Sequence, residues 1–170
     1  MANKYAHAEG DSTIANGISS HAEGCGTKAS GIGSHAEGGS QDEYEHDLSF
    51  RRDDRTDYIL TSSGDYSHAE GCGTLASGNH SHAEGYYNIA SGEGAHAEGY
   101  SAIDECVKGG VNIASGKGSH AEGVATEASG YAAHAEGGGY LDPGDIFMNT
   151  TASGDYSHAE GFCTIASGQH

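Results

Sequence analysis

Tryptophan is absent from this 170-residue chain, proline occurs once, and only 35% of the residues are hydrophobic. A conventional core of large aliphatic and aromatic side chains is hard to build from so little. Bases are scarce too: 7 Lys and Arg stand against 25 Asp and Glu, for a formal charge of −18. A surface of that sign repels nucleic acid and anionic membrane, so neither is expected as a partner. No run of 18 apolar residues occurs, so this segment is not expected to insert in a membrane. A signal-peptide pattern is also missing, the first repeat beginning within six residues of Met1. The four cysteines, Cys25, Cys72, Cys106 and Cys163, form neither a CxxC nor a metal-finger spacing.

What the chain does have is glycine, 29 residues of it, and one phrase written nine times. The phrase is His-Ala-Glu-Gly. Its histidines are His7, His21, His35, His68, His82, His96, His120, His134 and His158, and its glutamates Glu9, Glu23, Glu37, Glu70, Glu84, Glu98, Glu122, Glu136 and Glu160. The gaps between histidines are 14, 14, 33, 14, 14, 24, 14 and 24 residues. Removing insertions of 19, 10 and 10 residues leaves eight steps of 14. High glycine with low apolar content is a composition of disorder, but disorder needs no register. The whole chain, residues 1–170, reads as one repeat domain. It breaks off within a repeat at Gly168-Gln169-His170 and is expected to be part of a longer array.

The unit reads S-H-A-E-G-x-x-T-x-A-S-G-x-x. Glycine twice in 14 residues penalises a helix by roughly 1 kcal/mol each time. Two segments of about five residues suit strands, and two strands with two glycine-bearing corners describe one coil of a parallel β-solenoid. Alternation then assigns directions. Ser and Ala of the first segment share one face and His and Glu the other; Thr and Ala of the second face inward. Only small side chains fit between layers so close. One outward face carries His and Glu at every coil. The other carries Ile14, Lys28, Thr61, Leu75, Ile89, Ile113, Glu127, Thr151 and Ile165. A thin roll with so little core is expected to oligomerise. Periodicity alone leaves open which face does so. Cys25 and Cys72 fall two coils, roughly 10 Å, apart, too far for a disulfide, so the cysteines are read as thiols. That suits a reducing or anaerobic setting better than a stapled secreted domain.

The alternation of S-x-A-x-G with x-x-A-S-G at 14 residues resembles the heads of trimeric autotransporter adhesins, the YadA-like heads built from Hep/Hag repeats. The resemblance covers nearly all of the chain outside the insertions. It implies an all-β, left-handed parallel β-roll of 14-residue coils assembled as a homotrimer, with an adhesive, non-enzymatic role on the cell surface. In that family the first segment is typically Ser-Val-Ala-Ile-Gly, and its two larger apolar residues face the trimer core. Carried over, His7 to His158 take the place of Val and Glu9 to Glu160 the place of Ile, so the implied trimer interface is polar. The His-Ala-Glu-Gly wording also resembles repeats in phage-related fibre proteins of Gram-positive bacteria, some of which carry an autoproteolytic domain. That alternative makes the chain the repeat stalk of a phage tail fibre.

A buried polar interface holds only if its groups are paired. His of one chain bonding Glu of the next, repeated up the stack, is the expected ladder. A Ser20-His21-Glu23 triad is disfavoured because adjacent strand residues point apart. Metal or an anion on the trimer axis is a second reading; nine identical levels would make a metal wire, so no cofactor is assigned. A calcium roll is ruled out by the lack of G-G-x-G-x-D.

The insertions, at about 39–59, 100–111 and 138–149, all enter at the corner after the His-Ala-Glu-Gly glycine. They are expected to project from one edge, either to bind a host-surface or matrix ligand or to clamp a neighbouring chain. The first is the richest, with Tyr44, Phe50, Arg51, Arg52, Arg55 and Tyr58 as its candidate contact residues.

Overall fold

A computed structural model describes residues 5–39, 60–100, 110–141 and 147–168. It is all-β, with no helix among the described residues. Nine short strands that begin at the nine phrase histidines form one parallel sheet, from His7–Asp11 to His158–Phe162. Nine others form a second parallel sheet, from Ile14–Ala15 to Ile165–Ala166. The chain alternates between the two sheets, and each coil lies in register on the next. His7 pairs with His21, and Glu9 with Glu23. The same pairing runs to His134 with His158 and Glu136 with Glu160. Ile14 pairs with Lys28, and the second sheet keeps that register through Thr151 and Ile165. The architecture is that of a β-solenoid.

The interior holds what the alternation predicts. Ala22, Ala36, Ala69, Ala97 and Ala121 from the first sheet meet Ala29, Ala76, Ala90 and Ala128 from the second, all fully buried. Ser20, Ser34, Ser67 and Ser81 are buried beside them. Their hydroxyls donate to the carbonyl three residues back, as Ser20 Oγ does to Gly17 O at 2.9 Å and Ser81 Oγ to Gly78 O at 2.6 Å. Each of these four serines thus closes its own corner, whereas the hydroxyls of Thr27, Ser119 and Ser157 are buried without a hydrogen bond. Two columns of glycine set the coil spacing. A Cβ on Gly24, whose φ is +110°, would lie 1.9 Å from Gly38 O; one on Gly31 would lie 2.0 Å from Gly64 O. Backbone approaches backbone there, and only glycine permits it.

Three coils depart from the common wording. Leu60, Asn88 and Asn112 stand where the other coils have Thr, all fully buried. Asn112 Nδ2 donates to Asn88 Oδ1 at 3.0 Å, and Thr126 Oγ1 donates to Asn112 Oδ1 at 3.0 Å. Asn88 Nδ2 also donates to the carbonyls of Glu84 and Gly99. This interior ladder coincides with the shortest first-sheet strand, His82–Ala83.

The second-sheet strands are two or three residues long, shorter than the five expected. The ladder does not stop there but changes form. Ser63 N and Gly64 N both donate to Ala76 O, at 2.9 and 3.3 Å, and two donors on one carbonyl end regular pairing. At the first insertion the chain leaves after Gly39, which pairs with Cys25 and Cys72, and is back in register by Thr61, which pairs with Lys28 and Leu75. The third insertion contains an antiparallel pair, Tyr140–Leu141 with Phe147–Met148, which the sequence pattern did not announce. Tyr44, Phe50, Arg51, Arg52, Arg55, Tyr58 and Cys106 lie outside the described residues. Cys25, Cys72 and Cys163 are thiols.

Candidate functional site

The outward face of the first sheet gathers the nine histidines and nine glutamates of the phrase. Strand pleating sends every His and Glu the same way, and parallel register stacks like on like. The nine imidazoles form one continuous column. Ring centroids of successive coils are 4.7 Å apart between His35 and His68 and 5.0 Å between His7 and His21. From His21 onward the rings are nearly parallel, 1° apart for His96 and His120 and 3° for His21 and His35. The first pair opens to 29°, where His7 has a neighbour on one side only.

The glutamates form a second column beside the first. Within a coil the gap from His Nε2 to Glu Oε2 is 3.5 Å for His35–Glu37, 3.7 Å for His68–Glu70, 3.8 Å for His21–Glu23 and 3.9 Å for His82–Glu84. These exceed a charge-assisted hydrogen bond, about 2.7–2.9 Å. Between coils the pairs are uneven. His120 Nε2 reaches Glu98 Oε1 at 3.1 Å, a hydrogen bond, while His158 to Glu136 is 3.6 Å and His96 to Glu84 is 3.9 Å. The Nε2 atoms of His21, His35, His68, His82, His96 and His134 are closed to solvent and make no hydrogen bond. The cause is geometric. Stacking fixes each ring plane at the coil spacing, and the ring then cannot turn to close the gap to its own glutamate.

Crowding of like groups moves the titrations. Burial lowers the pKa of His68, and the flanking His82 and His35 lower it further, against the pull of Glu70 and Glu37. His96 and His134 are lowered for the same reasons, burial first and then their stacked neighbours. Glu84 is pushed up to about 7 by burial and by hydrogen bonding to Glu98 and Glu70, whose charges add to the rise. Burial works to raise Glu98 as well, but hydrogen bonds from Glu84 and His120 outweigh it and hold its carboxyl low. Glu84, Glu98 and His120 thus titrate as one linked set.

The triad residues are not brought together: Ser20 is buried and bonded to Gly17 O, while His21 stands on the opposite face. The sequence pattern placed the His and Glu columns correctly but missed the uneven cross-coil pairing and the Glu84–Glu98 link. Nothing in a 14-residue repeat signals those. The Asn88–Asn112 ladder was visible as Asn in two successive Thr positions.

Beside the glutamate column runs a groove of about 530 Å³, lined by Glu9, Glu23, Glu37 and Glu70 and the glycine after each. The opposite sheet presents no repeated pair: Ile14, Lys28, Thr61 and Leu75 succeed one another on its outer face. Comparison of the chain with known protein families, with curated proteins and with solved structures found no match.

Proposed function

We propose that the chain is the structural head of a homotrimeric fibrous surface protein, a left-handed roll whose His/Glu sheet faces the three-fold axis. One observation carries this reading. A solenoid whose interior is Ala, Ser, Thr and Asn with a single Leu, Leu60, among the described residues presents, on one sheet alone, the same polar pair at all nine coils. A solvated face has no need of such uniformity, and the second sheet has none. An axis crossed by three identical chains does, because each level must meet its own copy. The glutamates beside the stacked rings stay partly exposed, 39% at Glu37 and 35% at Glu70, and are open to a neighbouring chain.

In this reading the segment does no chemistry. It holds three chains in register and displays the insertions, which meet a host-surface or matrix ligand or clamp the neighbour. The protein then sits on a cell surface or a phage particle. The His-Ala-Glu-Gly wording supports the second setting, in which the chain is the stalk of a tail fibre with a separate autoproteolytic domain. The mass in solution tests the assembly: sedimentation equilibrium should return three times 17.3 kDa, and a monomer at micromolar concentration would sink the proposal.

A further inference from the structure

We infer that the His/Glu face binds Zn²⁺, each ion held by one glutamate and by two imidazoles from adjacent coils. The inference uses one chain's own residues and does not depend on the trimer. It starts from the width of the gaps. An ion with nitrogen at about 2.0–2.1 Å and carboxylate oxygen at about 2.0–2.2 Å sets the two ligand atoms roughly 3.4–3.9 Å apart, for bond angles between about 110° and 140°. The gaps of 3.5 Å at His35–Glu37, 3.7 Å at His68–Glu70 and 3.8 Å at His134–Glu136 fall in that interval. They are too long for a hydrogen bond and right for one bridging cation. The Nε2 atoms concerned have no other hydrogen-bonding partner.

The third ligand comes from the next coil. Five His-Glu-His groups have their ligand atoms within 4.8 Å of one another, the first being His35, Glu37 and His68. Two nitrogens on one tetrahedral ion stand about 3.3 Å apart, so each pair of rings must lean together from its spacing of 4.7–4.9 Å. A ring that leans one way cannot serve the coil on its other side. The five groups share His68, His120 and His134 between neighbours, so at most three fill at once, the one at His96, Glu98 and His120 by exchanging the 3.1 Å bond between His120 and Glu98 for the ion. The evenly occupied wire that nine repeats suggest therefore does not arise. Two imidazoles and a carboxylate suit Zn²⁺ and disfavour hard cations, which want oxygen alone. A fourth position is left for water or for a neighbouring chain. The groove beside Glu37 and Glu70 gives the ion a way in, and the net charge of −18 draws it there.

The test is a count. The full chain, stripped with a chelator and dialysed to equilibrium against Zn²⁺, should retain three ions per chain. His68→Gln removes two overlapping groups and should leave two ions. His35→Gln removes one group whose place the next can take, and should still leave three. Co²⁺ in place of Zn²⁺ should give the visible absorption of a tetrahedral nitrogen-oxygen site, in the wild-type chain and in His35→Gln, so the result does not hang on one variant's folding. Failure to retain Zn²⁺ overturns the inference. So does displacement by equal Ca²⁺ with no effect of His68→Gln, which would mean that the glutamates merely gather counterions. Mass measured on the same samples separates this from the trimer: three Zn²⁺ on a monomer keeps the sites and removes the assembly, and a metal-free trimer does the reverse.

Discussion

The two sheets of this solenoid are built from the same strands-and-corners unit, pair in the same parallel register and share one alanine interior, yet their outer faces differ completely. The first repeats His and Glu at every coil. The second runs through Ile, Lys, Thr, Leu and Glu with no common chemistry. Backbone geometry makes identical demands on both, so it cannot be what keeps the first face uniform. Uniformity of that kind needs a partner that is itself periodic: the next coil, a neighbouring chain, or a row of ions.

Breaking one face at a time separates these roles most sharply. Replacing Glu37, Glu70 and Glu122 by Gln should dissociate the proposed trimer, seen as a fall in sedimenting mass toward a single chain. Replacing Leu75, Ile89 and Ile113 by Thr should leave the mass unchanged. The reverse outcome would put the axis on the second sheet.

The interior should not distinguish the sheets. Ala97 lies on the first and Ala90 on the second, both at 0% exposure. Leu at either position overpacks a space made for a methyl group and should cost roughly 1–3 kcal/mol, read from thermal unfolding by circular dichroism. Unequal losses would mean that one sheet yields more readily than the shared core implies.

Acid acts on the first face. The folded pKa values of His68, His96 and His134 lie below 6.5. As pH falls through that value, the unfolded chain takes up protons that the folded chain refuses, so stability is lost on the acid side. Glu84 works in the opposite sense: its folded pKa of about 7 lies above 4.5, so it favours the folded state as pH falls through that interval. Glu84→Gln removes the opposing effect, so in that variant the melting temperature should drop below pH 6.5. Adding the triple change of His68, His96 and His134 to Gln should flatten the drop. Glu127→Gln, on the other sheet, should alter neither.

Much of this was legible from the sequence because a 14-residue period with two glycines leaves few folds. Alternation put Ala22 and Ala29 inside and His21 and Glu23 outside, and the spacing put Cys25 beside Gly39 rather than Cys72. What was not legible arises between coils. The 3.1 Å bond from His120 to Glu98, against 3.9 Å from His96 to Glu84, depends on small offsets between stacked rings that identical repeats do not encode. The shortness of the second strands was likewise hidden, since it comes from two amides sharing Ala76 O. The lowered pKa values of the histidines could be read only once the structure showed the rings partly buried with another histidine on either side.

Two ion pairs of nearly equal length make the finest version of the comparison. Lys117 Nζ meets Glu93 at 2.9 Å on an exposed corner, and His120 Nε2 meets Glu98 at 3.1 Å within the first face. Distance alone would rank the corner pair higher. Water competes for both of its ends, however, and long side chains lose freedom in closing it, so Glu93→Gln should leave the melting temperature unchanged within error. Glu98 accepts from both Glu84 and His120 between two columns of rings and carboxylates. Gln there offers only one oxygen and brings a donor against Glu84, so the variant should cost about 1 kcal/mol. An equal response from the two variants would mean that the His/Glu face is as open to water as the corner, and that in the isolated chain its pairs are spectators until something binds them.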